Sequence, residues 1–327
     1  MSSRSLQQVT ALMGRGVIPT GTPIVGADDL GLTRGHGCFD ATRVWFDSGT
    51  PVVEDLDAHL TRLQASASAL GITGPSDAAW HDLVKQVCAA YEGDAEAGLK
   101  LVLTGGGESL TAEPVAYATL TELSEESLRQ RDGVTVAVLS RGVASDAFAD
   151  APWLLGGVKT IAYAINLEAK EEAHRRGADD ALFVSTDGFA LEGPTSAVVI
   201  RRGTRLLTTP TGQTGVLASI TIDRIAREAA TCGYTLEHEL FRPHDLLTAD
   251  GAWLVSSVRG VAPIRRLIPT SRPPALDELT ELTSDSHIEA EPQNAGAPEA
   301  ADMTADLTID LPADPEGDRT LRTLAGF

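Results

Sequence analysis

Between Gly156 and Ala197 the chain carries a lysine, Lys159, and a glutamate, Glu192, in settings suited to chemistry. Lys159 follows Gly156-Gly157-Val158, where a loop gives way to a predicted helix with apolar Ile161, Ala162, Ile165 and Ala169 on one side and Gly177 as its stop. Glu192 closes a predicted hairpin made of the apolar run Ala181 to Val184, the turn Asp187-Gly188 and the returning strand Phe189 to Glu192. An amine at a helix entry and a carboxylate at a strand end can both point into one cleft, with a cofactor between them. Further on, Ser219 and Thr221 fall at the start of a predicted helix, Ile222 to Thr231. Hydroxyls and free N–H groups there can hold phosphate, although Ser and Thr also cap most helices. Ser256 and Ser257 end a predicted buried strand that begins at Trp253, and suit an anion site or a plain turn equally well.

Positioning these groups requires two sets of elements. Asp28 to Asp40 is a glycine-punctuated turn leading into a strand over Ala41 to Phe46. It lacks the GxGxxG order of a dinucleotide fold. Helical spacing over Asp55 to Leu70 places Leu56, Leu60, Leu63 and Ala67 on one face, with Arg62 beside it, and a second helix runs from Asp77 to Tyr91. Strands over Leu99 to Leu103, Pro114 to Leu120 and Val134 to Leu139 complete an α+β first half. The expected division is an N-terminal unit over 1–141, a connector over 142–155, a C-terminal unit over 156–280 and a tail over 281–327.

The tail is rich in Asp, Glu, Ala, Pro and Thr, and this composition predicts acidic disorder. The alternation of Leu307, Ile309 and Leu311 is its one strand-like feature, suited to adding onto a partner. A formal net charge of −20 argues against nucleic acid as a partner. No apolar window reaches the roughly 18 residues of a membrane span, so the expectation is a cytoplasmic protein with a small-molecule substrate. Cys38, Cys88 and Cys232 are scattered without CxxC spacing, which suggests neither disulfides nor a metal site.

Six segments in order carry a resemblance: Asp29 with Gly35-His36-Gly37-Cys38-Phe39, His59-Leu60-Thr61-Arg62-Leu63, Gly157-Val158-Lys159, Glu192-Gly193, Gly215 to Thr221, and Ser256-Ser257 before Pro263. Over roughly Val25 to Ile268 the chain resembles the class IV (fold-type IV) aminotransferases, which include aminodeoxychorismate lyases. The resemblance implies a smaller N-terminal α/β domain, a larger C-terminal domain, pyridoxal 5′-phosphate as cofactor and a homodimer. It implies that Lys159 attaches the cofactor aldehyde and then moves protons. Glu192 would hold the ring nitrogen, and Arg62, Ser219, Ile220, Thr221 and Ser257 the phosphate. Tyr163 matches less well: it lies four residues after the lysine where relatives have five, so a core position competes with a cofactor contact. Where many relatives carry an arginine that grips the substrate carboxylate, this chain has Gly105, and Arg259, with Arg34, is the expected replacement. Gly35-His36-Gly37-Cys38-Phe39 and Gly157-Val158-Lys159 resemble the lyases more closely, and with the altered loop they favour 4-amino-4-deoxychorismate lyase over a D-amino acid or branched-chain aminotransferase, with a non-catalytic scaffold as a third reading.

Overall fold

A computed structural model describes residues 6–108, 113–269 and 308–327. The first sheet is formed by β1 (Gln8–Leu12), β2 (Gly16–Ile18), β3 (Gly37–Asp47), β4 (Thr50–Val53), β5 (Ala97–Thr104) and β6 (Ala116–Glu122). Its strands are antiparallel in the order β2-β1-β6-β5-β3-β4. Alternate residues of each strand face opposite sides. On one side Leu99, Leu101, Leu103 and Leu120 form a core with helices α2 (Leu56–Ala69) and α3 (Asp77–Ala89), which contribute Leu60, Leu63, Trp80, Leu83 and Val87. The predicted periodicity of both helices is realised. The other side of the sheet presents Phe39, Ala41, Lys100, Tyr117 and Thr119, all partly or largely exposed. A short helix, α1 (Leu30–Arg34), lies inside the glycine-punctuated turn, where Asp29 accepts the Leu32 N–H at its start.

The second sheet contains β7 (Val134–Ser140), β8 (Asp180–Val184), β9 (Ala197–Arg202), β10 (Arg205–Thr208), β11 (Thr235–His238), β12 (Gly251–Ser256) and β13 (Gly260–Ile268). Their order is β11-β10-β9-β12-β13-β7-β8, with β14 (Ile309–Asp310) added beside β13. β7 pairs in parallel with both β8 and β13, so the chain change from first to second sheet falls between Glu122 and Val134, around α4 (Glu125–Arg129). The strand over Val134 to Leu139, expected in the first half, thus pairs within the second sheet. A strand's own residues do not name its partner, and β7 reaches β8 through a crossover containing α5 (Ala164–Arg175), as parallel pairing demands. Helices α6 (Ile220–Ala229) and α7 (Pro243–Thr248) complete this half. No helix among the described residues is long and apolar enough to cross a membrane.

The last residues of the chain, 308–327, depart from the expectation of a disordered tail. Residues 281–307 lie outside the described residues, but 308–327 are folded. Ile309 and Asp310 pair with Leu267 and Arg266, so the alternating segment, of which Leu307 lies outside the described residues, adds from Ile309 onward to the chain's own sheet. Leu311 enters the core, and helix α8 (Pro315–Ala325) starts at Asp314, which accepts the Gly317 N–H at 2.9 Å. Leu321, Leu324 and Ala325 pack with Trp253, Ile222 and Ile225, while Trp253 Nε1 donates to Asp318 at 2.8 Å. Composition averaged over the acidic stretch hid this short apolar face. The helix also ties the halves together, because Arg43 of β3 donates to the Gly326 carbonyl at 2.7 Å and stacks 3.8 Å over the Phe327 ring. Leu324→Ala is expected to lower stability by about 2–5 kcal/mol in denaturant titration. A change within about 0.5 kcal/mol, the range of a solvated side chain, would contradict the packing.

Candidate active site

Lys159 does not open a helix. Its carbonyl accepts the Phe39 N–H at 3.0 Å, Ile161 donates to the Gly37 carbonyl at 3.0 Å, and Thr160 bridges Cys38. These bonds tie the segment to β3, so α5 begins only at Ala164 and Ile165 is left 60% exposed. The Lys159 N–H donates to Ser66 Oγ of α2 at 3.2 Å. Its ammonium nitrogen stands 4.6 Å from the Phe39 ring centroid and 5.7 Å from that of Tyr163. Burial pushes this amine down to about 8, helped by the positive charge of Arg62 and opposed by Asp40 and Glu192. A lysine tuned this way is partly neutral near neutral pH, as a nucleophile must be.

Glu192 lies on the returning arm of the β8 hairpin, where its backbone carbonyl accepts the Phe183 N–H at 2.9 Å. Burial raises its carboxyl to about 7 against the opposing pull of the Leu217 N–H, which donates to Oε2 at 3.2 Å, and of Lys159 and Arg141. The hairpin thus forms as predicted, although its second arm pairs only through isolated bridges.

Arg62 is fixed by a carboxylate that the sequence reading passed over. Asp40 of β3 is fully buried and accepts from Arg62 Nε and Nη2 at 2.8 Å each. His59, one helical turn before Arg62, has Nδ1 2.7 Å from the same carboxylate. Burial opposes the Asp40 charge, yet the hydrogen bonds from Arg62 and His59 outweigh it and lower this group to about 2. Arg62 Nη1 then crosses to the second half and donates to the Ala218 carbonyl at 2.8 Å, just before α6. Ser219 caps that helix by accepting the Ile222 N–H, which leaves the first-turn amides of Ile220 and Thr221 without intrahelical acceptors. Thr221 Oγ1 lies 3.1 Å from Ser257 Oγ, so the two hydroxyls expected at the phosphate are adjacent. The visible signal for Asp40 and His59 was the His-x-x-Arg spacing on one helix face; the acid that both need lies in a distant strand.

Tyr163 meets the edge of the Phe39 ring at 5.1 Å and donates its hydroxyl to the Pro194 carbonyl at 3.0 Å, beside Asn166, which donates to the same carbonyl. It belongs to the lysine's surroundings, with its hydroxyl already engaged. Arg259 does not suit the expected carboxylate clamp. Its guanidinium is buried, with Nη1 donating to Asp180 at 2.6 Å and to Gln130 at 2.9 Å. The fully buried Asp180 would lose its counter-charge if Arg259 turned to a substrate. Arg34 ends α1 with a side chain 70% exposed, 3.5 Å from Glu108, and shares no hydrogen bond or ion pair with the Lys159 cluster. Arg259 is thus committed to Asp180, while Arg34 stands apart from the lysine with its exposed guanidinium held only by Glu108 among the described residues.

The donor set fits pyridoxal phosphate. Arg62, the α6 amides and the Thr221 and Ser257 hydroxyls suit a phosphate dianion, Glu192 suits a protonated ring nitrogen, and Lys159 suits an aldehyde. A family model described as amino-transferase class IV matches residues 37–267. The bifunctional aminodeoxychorismate lyase / D-amino acid transaminase of Mycobacterium tuberculosis is 34% identical over 260 residues, 77% of this chain and 88% of that protein. A fold IV transaminase of Curtobacterium pusillum superposes with a TM-score of 0.73 at 35% identity, covering 85% of this chain and 96% of its own. The pyridoxal phosphate-bound form of a hypothetical aminotransferase from Mycobacterium tuberculosis gives a TM-score of 0.74 at 31% identity, covering 84% and 97%.

Two outcomes test the geometry. Arg259→Ala is expected to destabilise the fold by about 3–5 kcal/mol in chemical denaturation, because it strands Asp180. A stable variant with weakened substrate affinity would restore the clamp. The second concerns pH. Folding lowers the affinity of Lys159 for its proton, so the charged lysine costs stability below pH about 8 and the cost fades toward 10.5. Glu192, shifted upward, has its cost set in as pH rises from 4.5 through about 7. Lys159→Met is therefore expected to stabilise the cofactor-free protein by roughly 2–3 kcal/mol at pH 7, with the gain vanishing near pH 10.5 in parallel denaturant titrations.

Proposed function

This chain belongs to the class IV aminotransferase family of pyridoxal phosphate-dependent enzymes, and we propose that its own reaction is the conversion of 4-amino-4-deoxychorismate to 4-aminobenzoate and pyruvate. The observation that carries this reading is the bare loop Gly105-Gly106-Gly107. A Cβ at Gly105 would collide with the His36 ring, so this position offers no side chain to grip an amino acid's carboxylate. A loop without that anchor suits a cyclic amine better than a simple amino acid. The aminotransferase reading is kept because the Mycobacterium tuberculosis relative is named for a D-amino acid transaminase activity as well as a lyase activity.

Pyridoxal phosphate, when bound, supplies an aldehyde for covalent attachment and an aromatic ring that withdraws electrons. Lys159 would take a proton from the substrate carbon and deliver it elsewhere, and an amine lowered to about 8 can act in both directions near neutral pH. Glu192, held by the Leu217 N–H, would keep the ring nitrogen protonated and so maintain the electron demand. Arg62, fixed by Asp40, and the first turn of α6 would anchor the phosphate and set the ring's height against Lys159. The Phe39 ring beneath Lys159 excludes water from one side of the amine. The two reactions diverge only in where Lys159 returns the proton and what leaves. A homodimer and a cytoplasmic location complete the reading.

Product analysis decides between them. Purified enzyme loaded with pyridoxal phosphate is expected to release equal amounts of 4-aminobenzoate and pyruvate from 4-amino-4-deoxychorismate. Lys159→Ala should lower that rate by on the order of 10²–10⁴ or more. Transfer of an amino group from D-alanine to 2-oxoglutarate, with no 4-aminobenzoate formed from the cyclic amine, would replace the lyase reading by the aminotransferase one.

A further inference from the structure

The elements that suit the phosphate share a neighbour. One is the start of α6, with Ser219 and Thr221; the other is the turn between β12 and β13, which carries Ser257. Ser256 pairs with Gly260, so Ser257, Val258 and Arg259 form the tip of a hairpin. Such tips are the mobile end of a strand pair unless something outside them holds on. Here Arg131 Nε donates to the Arg259 carbonyl at 2.6 Å, and Nη2 to that of Val258 at 3.4 Å. Arg131 is gripped in turn by Glu96, at 2.9 Å, and its carbonyl accepts from Arg322 of α8.

The Phe327 ring completes this support. Gly260 has a φ of 90°, and a Cβ there would stand 2.6 Å from ring carbons of Phe327, so the ring lies directly against the hairpin backbone. The Arg43 guanidinium stacks 3.8 Å from the ring centroid, and that of Arg131 lies 5.6 Å from it. Arg43 also donates to the Gly326 carbonyl at 2.7 Å. Gly326 sits so close to the Arg224 guanidinium that a Cβ would overlap it. Arg224 belongs to α6 and reaches Glu54 of the first half at 2.9 Å. The same end of the chain therefore bears on both elements, with α8 packed on α6 through Leu321 and Leu324 and the ring set on the Ser257 turn. Anchoring α8 does not require the ring, because Leu321, Leu324 and Ala325 are already buried while Phe327 is only half-buried.

We propose that Phe327 is a positioning residue for the cofactor's phosphate: its ring, stacked by Arg43 and pressed on Gly260, holds the Ser257 hydroxyl in register with Thr221 and the first turn of α6. The proposal rests on placing the phosphate between Thr221 and Ser257, and holds for either reaction. It makes the end of the chain a determinant of how tightly the cofactor is kept, although no atom of Phe327 touches it. A hydroxyl displaced by even a fraction of an ångström loses most of a charge-assisted bond, and the rest of the ring site is untouched.

The test titrates the cofactor-free whole chain with pyridoxal 5′-phosphate and with pyridoxal, which lacks the phosphate, and follows binding by visible absorbance. Phe327→Ala is expected to weaken pyridoxal phosphate about tenfold and pyridoxal by less than about twofold. Phe327→Leu keeps an apolar side chain but no ring for Arg43, so it is expected to show the same selective loss; it decides the matter if Phe327→Ala does not fold. Phe327→Tyr keeps the ring and is expected to restore the parent's affinity. Ser257→Ala tests the phosphate site itself and is expected to lose affinity for the phosphorylated ligand alone. If Ser257→Ala shows that loss while the Phe327 variants bind as the parent does, or weaken both ligands equally, the positioning role is overturned and the site stands. If Ser257→Ala shows no phosphate-specific loss, the placement of the phosphate is overturned, and the proposal with it.

Discussion

The site depends on one buried carboxylate. Asp40 sits inside the first sheet with no exposure and is shared by Arg62 and His59. Burying a carboxylate is costly unless its charge is paired and its oxygens are bonded, and here both oxygens are. Arg62 is thereby locked on the edge of α2 with one nitrogen left to reach the Ala218 carbonyl across the cleft. The proposed phosphate end is thus set by a strand, a helix and a loop drawn from both halves of the chain. The C-terminal helix reinforces this junction from the far side, through Arg43 and Phe327.

From that frame the other two groups acquire opposite tuning. Lys159 is lowered and Glu192 raised, and burial is the largest cause for each. Both shifts cost folding free energy in the cofactor-free chain. The cost has a use, since an amine that sheds its proton easily can attack an aldehyde, and a buried carboxylate is the counter-charge that a protonated ring nitrogen calls for. Attachment to β3 rather than to the start of α5 is what makes this tuning stable. Hydrogen bonds to Gly37, Phe39 and Ser66 fix the backbone on either side of Lys159 and keep its side chain over an aromatic ring.

Much of this was legible in the residues. Helices α2 and α3 announce themselves by period, the hairpin before Glu192 by its Asp-Gly turn, and the α6 start by Ser219. What stayed hidden was commitment between distant residues. Nothing in the neighbourhood of Arg259 says that Asp180 holds it, and nothing near Arg62 says that Asp40 does. The final helix was masked by averaging, because the apolar face formed by Leu321 and Leu324 is short and its surroundings are acidic. In each case the missing information was tertiary, carried by pairing rather than by local pattern.

The central claim is that this fold presents Lys159, and no other lysine, to a pyridoxal phosphate aldehyde. Borohydride reduction of the cofactor-loaded protein, followed by peptide mass mapping, tests it directly. The account predicts one reduced pyridoxyl adduct per chain, on Lys159. An adduct spread over Lys85, Lys100 and Lys170, or none at all, would contradict it.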